Sequence, residues 1–140
     1  MNSPKINLII PSFNCKRVLF RALDSLLKSE YEKYQILVVD NGSRDNTLDE
    51  GQKKYPMIKW IDAGSKNIGW GGSYNLGIAK SDSKSDVVVF DSDVVATPKM
   101  LEKLSTAAYK NSGVGIVTPM ILYLNDKNWV NQAGAEVNLW

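Results

Sequence analysis

The feature that most limits what this chain can fold into is its alternation of short β-branched apolar runs with longer segments of helical period. The runs INLII (6–10), QILVVD (35–40), MIKWID (57–62) and DVVVF (86–90) predict four strands, the first expected to stop at Pro11. Leu19, Ala22, Leu23, Leu26 and Leu27 recur at three- and four-residue spacing and predict a helix packed on the sheet. After the second strand, the turn NGSRDNT leads to a short polar helix that Asp45 or Asn46 can cap. The near-continuous apolar run DVVVF predicts a strand buried on both faces in the centre of the sheet. Thr97 and Pro98 read as the cap and first position of a helix running through about Tyr109. One or two further strands are expected in VGIVTPMILYL (114–124), broken near Pro119. The fold class that follows is α/β, a mostly parallel central sheet flanked by helices. With 140 residues and 44% apolar content, the chain fits one domain over residues 1–140.

What the chain lacks removes several chemistries. With no histidine, imidazole bases, His triads and His-ligated zinc are excluded. A single cysteine, Cys15, forbids an internal disulfide framework or a thiolate metal cluster, and reads most simply as a small semi-buried residue. Seventeen basic against fifteen acidic residues leave a net charge of +2 with no long basic stretch, so no nucleic-acid partner is expected. The N-terminus MNSPKINLII carries neither a signal-peptide pattern nor a span-length apolar run, which makes the cytoplasm the default location.

In open α/β sheets the ligand site lies beyond the carboxyl ends of the strands. The segments expected there are PSFN, DNGSRD, AGSKNIGWGGSYNLG and DSD, a collection of polar, acidic and glycine-rich residues suited to a nucleotide. Asp91 and Asp93 are the sharpest pair among them. Residues i and i+2 on a strand extension point to one side, so both carboxylates can face one ligand. Hard oxygen donors of this kind favour Mg²⁺ or Mn²⁺, ions that also bind substrate phosphates. An isolated D-x-D is more often a solvated turn; the apolar strand before it and the capped helix after it weigh against that reading. NIGWGGSYNLG (67–77) can set backbone N–H groups against phosphate, yet Tyr74 stands where the dinucleotide fingerprint needs glycine. Gly77 reads equally well as a site of close helix packing.

Taken in order, INLIIPSFN, QILVVDNGSRDNT, NIGWGGSYNLGI and VVVFDSDVVATPKMLEKL resemble the inverting glycosyltransferases of family 2, which have the GT-A fold, with a flavour of the rhamnosyltransferase-like branch. The resemblance runs from about residue 6 to about residue 105. It implies a nucleotide-sugar-binding domain in which Pro11 and Ser12 line the base and ribose pocket and Asp40 accepts the imide N–H of uracil or thymine. Asn41 and Ser43 would shape the same turn, while Asn67, Gly69, Gly71 and Gly72 would border the nucleotide-sugar. Asp91 would meet the ribose or the metal shell, and Asp93 would bind the Mg²⁺ or Mn²⁺ that holds the diphosphate. The implied donor is a UDP- or dTDP-sugar, and the implied acceptor an unidentified glycan or a lipid-linked one, which would bring the protein to the membrane periphery.

The base that activates the acceptor is the missing part. In the resembled family it comes from a segment well beyond the D-x-D, so it is expected beyond Trp140, with Asp126 and Glu136 as weak candidates inside the chain. Such a chain would be the donor-binding portion of a longer enzyme. The alternative is a nucleotide-binding or assembly module without catalysis. A nucleotidyltransferase is disfavoured because PSFNCKR has no glycine. Trp129, Val130, Val137, Leu139 and Trp140 put apolar surface near the terminus and predict self-association through that segment.

Overall fold

The structure is a computed structural model and describes residues 4–134. Four parallel strands, β1 (Ile6–Ser12), β2 (Tyr34–Asp40), β3 (Lys59–Asp62) and β4 (Asp86–Val89), form one sheet in the order β3-β2-β1-β4. Helices α1 (Lys16–Leu26), α2 (Thr47–Lys54) and α3 (Gly69–Ala79) make the crossovers, and α4 (Met100–Ala108) follows β4. A short antiparallel pair, β5 (Ile121–Leu122) with β6 (Val130–Gln132), lies outside the main sheet. The chain order moves outward from β1 through β2 to β3 and then returns to the other side of β1. That reversal creates a crevice between the carboxyl ends of β1 and β4, where α/β sheets bind ligands.

Each face of the sheet has its own cover. Ile6, Leu8 and Ile10 of β1, with Ile36 and Val38 of β2, pack against Leu19, Ala22, Leu23 and Leu26 of α1, and Phe90 and Leu101 join this cluster. Each such fully buried side chain contributes about 1.5–3 kcal/mol before the entropy of ordering is subtracted. The other face meets α3 at Gly77, where an added Cβ would lie 2.3 Å from Ile9 Cγ2 and 3.3 Å from Val39 Cγ2. The close-packing reading of Gly77 is therefore the one the structure bears out.

Several boundaries differ from the sequence expectation. β1 continues through Pro11 to Ser12. Ile9 accepts the Phe90 N–H, so alternate residues of β1 face β4; Pro11 faces the same way, past the point where β4 has left the sheet. Its missing N–H costs no ladder bond. β4 is an edge strand among the described residues, not a central one: Val87 is 41% and Val89 58% exposed. These valines share a face with Asn7 and Ile9, but α3 lies over β1 and β2. Helix α4 begins at Met100, because Thr97 and Pro98 form a turn whose carbonyls accept from Met100 and Glu30. Leu27 is the C-cap of α1 and is 38% exposed. Of the 114–124 run, only Ile121 and Leu122 are extended.

Replacement of Gly77 by Ala is expected to cost about 1–3 kcal/mol through overpacking, more than alanine's helical advantage of about 1 kcal/mol returns. Urea denaturation measures it; an unchanged midpoint would show that α3 can move off the sheet.

Candidate functional site

The carboxyl edge of the sheet brings most of the singled-out residues together. Ser12 and Asp40 end β1 and β2 as register partners, and both are 2% exposed. The Asn41 N–H donates to the Ser12 carbonyl at 2.8 Å, extending the ladder one residue beyond the strands. Asp40 Oδ1 accepts the Ser43 N–H at 2.9 Å, while its other oxygen, Oδ2, is buried with no hydrogen-bond partner. Asn7 Oδ1 and Ser85 Oγ are buried and unpaired as well, but they sit at the opposite end of the sheet. Leaving a buried acceptor without a partner costs about 1–3 kcal/mol, so an orphan carboxylate oxygen at a strand end calls for a donor, from water or from a ligand.

Asn41 ties this strand end to the start of α3. Its Nδ2 donates to Asn67 Oδ1 at 2.9 Å, and its Oδ1 accepts the Ile68 N–H at 2.9 Å. Asn67 Oδ1 also accepts the Gly69 N–H at 2.8 Å. Gly69 has φ +75°, a left-handed conformation that glycine adopts without a Cβ penalty, and the helix opens from it. Gly71 is exposed, with open space where a Cβ would be, whereas a Cβ on Gly72 would meet Ile68 Cβ at 3.1 Å. Asn67 thus shapes the turn rather than standing free of it.

The loop after β1 is held by the loop after β2. The Asn14 N–H donates to Ser43 Oγ at 3.0 Å, the Arg44 N–H to Asn14 Oδ1 at 2.7 Å, and the Lys16 N–H to Asp45 Oδ2 at 3.0 Å. Asp45 Oδ1 accepts from the Thr47 N–H and hydroxyl, so Asp45 supplies the cap of α2 while Asn46, at φ 62°, makes the turn. Burial raises the Asp45 pKa, but the hydrogen bonds from Thr47 and from the Lys16 N–H outweigh it and hold the carboxyl below its ordinary 3.8. Cys15, half-buried, lies between the two walls of the crevice, its Sγ 3.5 Å from both Ser12 Oγ and Ser92 Oγ.

Beyond β4 the D-S-D segment is a turn rather than the expected strand extension, closed by the Val94 N–H donating to the Asp91 carbonyl at 3.3 Å; Phe90 and Ser92 are buried, Asp91 and Asp93 exposed. Both carboxylates act on the Tyr74 phenol, Asp91 by a hydrogen bond and its charge and Asp93 by its charge. No ion pair involves either of them among the described residues, and no group of three or more metal-ligating side chains occurs there. A hard cation would fit this donor set only by drawing its remaining ligands from phosphate and water, the usual habit of Mg²⁺.

Sequence reasoning missed Tyr74. Its hydroxyl, on the second turn of α3, donates to Asp91 Oδ1 at 2.7 Å, and its ring lies 6.4 Å from that of Trp70. Burial first, then the hydrogen bond and charge of Asp91 and the charge of Asp93, push the phenol well above its ordinary range, so it remains a donor. Helical spacing places residue 74 one turn after Trp70 but gives no sign of its contact with Asp91, 17 residues away. Asp126 sits elsewhere, in the β5–β6 turn, where its Oδ1 accepts the Asn128 N–H at 3.1 Å and its carbonyl the Trp129 N–H. It is exposed, as a solvated turn acid is. Glu136, Val137, Leu139 and Trp140 lie outside the described residues.

A parallel sheet with its polar residues gathered at a switch-point crevice is the architecture of a nucleotide-binding α/β domain. The profile of glycosyl transferase family 2 matches residues 7–136, and the chain belongs to that family. It is 34% identical over 138 residues to an uncharacterized glycosyltransferase of Nostoc sp. (strain PCC 7120), covering 94% of this chain and 41% of the relative. It is 31% identical over 86 residues to the O-antigen chain rhamnosyltransferase RfbN of Salmonella typhimurium, covering 61% of this chain and 27% of that protein. The chain therefore spans about two fifths or less of these relatives. Among solved structures, S. aureus TarS in complex with UDP-GlcNAc superposes with TM-score 0.67 at 21% identity over 86% of this chain and 41% of that one. The Pyrobaculum calidifontis mannosyltransferase PcManGT, in complex with GDP-Man and Mn²⁺, gives 0.62 at 20% over 72% and 31%. These likenesses show the GT-A fold. No helix among the described residues is long and apolar enough to cross a membrane.

Replacing Asp45 by Asn puts an amide N–H₂ against one of the two backbone N–H groups that its carboxylate accepts. A loss of about 1 kcal/mol at neutral pH is expected. Because the folded pKa is depressed, the stability it provides is present above 3.8 and lost as pH falls through the lower folded value. Melting curves of wild type and Asp45→Asn should therefore converge in acid; a gap independent of pH would contradict the assignment.

Proposed function

We propose that this chain binds the nucleotide-sugar donor of a family 2 glycosyltransferase at the crevice between β1 and β4. The observation that carries the reading is the buried, unpaired Asp40 Oδ2 at the end of β2. One free acceptor matches the single imide N–H of uracil or thymine, whereas the guanine edge offers two adjacent donors. A UDP- or dTDP-sugar is thus the donor supported best, and the UDP-GlcNAc complex of TarS is consistent with it. Pro11, Ser12, Asn41 and Ser43 would surround the base and ribose, and the segment from Asn67 through Gly72 would border the sugar.

Asp91 and Asp93 are proposed to hold a Mg²⁺ or Mn²⁺. When bound, that ion supplies positive charge where the departing nucleoside diphosphate becomes more negative. Asp93 would hold that ion, and Asp91, beside it, would join the metal shell or meet the ribose hydroxyls. Inversion requires a carboxylate on the opposite face of the sugar to take the acceptor's proton. Asp126 is engaged in its own turn; the base and the acceptor wall are proposed to lie beyond Trp140, with Glu136 the remaining candidate inside the chain, and on that reading these 140 residues bind donor without completing transfer. Self-association through the C-terminal segment is proposed from Trp129 and Val130, which are 67% and 47% exposed. A monomer at high concentration in light scattering would contradict it.

Calorimetric titration of UDP, dTDP and GDP, with and without Mn²⁺, tests the donor site. UDP or dTDP binding that needs the metal and is lost in Asp93→Ala, with Asp40→Asn weakening the nucleotide by about tenfold or more, is the expected result. Tighter binding of GDP would refute the base assignment. A folded protein that binds none of the three would leave the assembly-module reading.

A further inference from the structure

Tyr74 belongs to neither the base pocket nor the D-S-D segment, yet its hydroxyl is bonded to the latter. Its helix is clamped on the sheet at Gly77 and tied at its first turn by Asn41 and Asn67, and its ring rests beside Trp70. From that position the hydroxyl occupies Asp91 Oδ1 at 2.7 Å. Among the described residues, no side chain or N–H group occupies Asp91 Oδ2 or either carboxylate oxygen of Asp93.

We propose that Tyr74 is a positioning residue that leaves Asp91 a single free oxygen and so selects the cation the site accepts. The proposal rests on the donor-site reading above. A carboxylate oxygen that already accepts from a phenol is the poorer ligand of the two, so ligation through the other oxygen alone is favoured over ligation through both. Ca²⁺ uses six to eight oxygen ligands and often takes a carboxylate through both oxygens, while Mg²⁺ and the similarly small Mn²⁺ suit six-fold geometry with single-oxygen ligands. A hydroxyl bonded to Asp91 therefore disfavours the larger ion without touching it. The same bond fixes the carboxylate's rotation, which spares the ion the entropy of ordering a free side chain. Selectivity here comes from a residue on α3 acting through one just past the carboxyl end of β4.

Titration of UDP into the chain in the presence of Mn²⁺, Mg²⁺ or Ca²⁺, read by calorimetry, tests this. Tyr74→Phe keeps the ring beside Trp70 and removes only the hydroxyl. The expected result is a loss of about tenfold in UDP binding with Mn²⁺ or Mg²⁺, the range seen when a partner of a metal ligand is removed, with no loss for Ca²⁺. Trp70→Ala, at a 58% exposed position, loosens the ring but keeps the hydroxyl, and should move the Mn²⁺ to Ca²⁺ ratio the same way by a smaller factor. Equal weakening with all three cations, or a ratio unchanged in both variants, overturns the proposal while leaving the donor site intact. A wild-type chain that binds UDP with none of the cations overturns the donor-site reading itself.

Discussion

The carboxyl edge of this sheet depends on how closely α3 lies against β1. A helix bearing a Cβ at position 77 could not reach its place, because Ile9 Cγ2 is 2.3 Å from where that carbon would be. With glycine there, α3 settles over β1 and β2, and its first turn comes within hydrogen-bonding distance of Asn41. The same placement carries Tyr74 across to Asp91. A packing constraint in the core thus sets the position of polar groups a turn away, and the site inherits the rigidity of the sheet.

The polar residues at this edge divide into those that hold one another and those that are left over. Asn41, Asn67, Ser43, Asn14 and Asp45 satisfy backbone N–H groups and fix three loops together. The oxygens left over among the described residues are Asp40 Oδ2, buried, and, on the exposed carboxylates, Asp91 Oδ2 and both oxygens of Asp93. On the reading proposed above, the first accepts from a base edge and the others hold a hard cation. The ligand that reading proposes has an N–H donor at one end and phosphate with bound metal at the other, as in a nucleoside diphosphate. The glycosyl transferase family 2 profile agrees with that description, although it covers a chain much shorter than its relatives.

Much of this was legible in the sequence because periodicity reports burial. The runs at 6–10 and 35–40 became central strands, and Leu19, Ala22, Leu23 and Leu26 became the buried face of α1. Pro11 misled because a proline normally ends a strand; only the early departure of β4 makes its missing N–H harmless, and that is a fact of topology. DVVVF misled for a related reason: an apolar run implies a cover on both faces, yet α3 leaves Val87 and Val89 open. Asp40, Asn41, Asp91 and Asp93 could be singled out from position alone, since strand ends collect ligand groups. Tyr74 could not, because its importance lies in a contact across 17 residues that only the close packing of α3 creates.

A crystal structure of the chain with UDP and Mn²⁺ tests the central claim most directly. The account predicts the uracil imide N–H within hydrogen-bonding distance of Asp40 Oδ2, and the metal between the diphosphate and Asp93. A nucleotide bound at the opposite end of the sheet, or one whose base contacts neither Asp40 nor its neighbours, would contradict it.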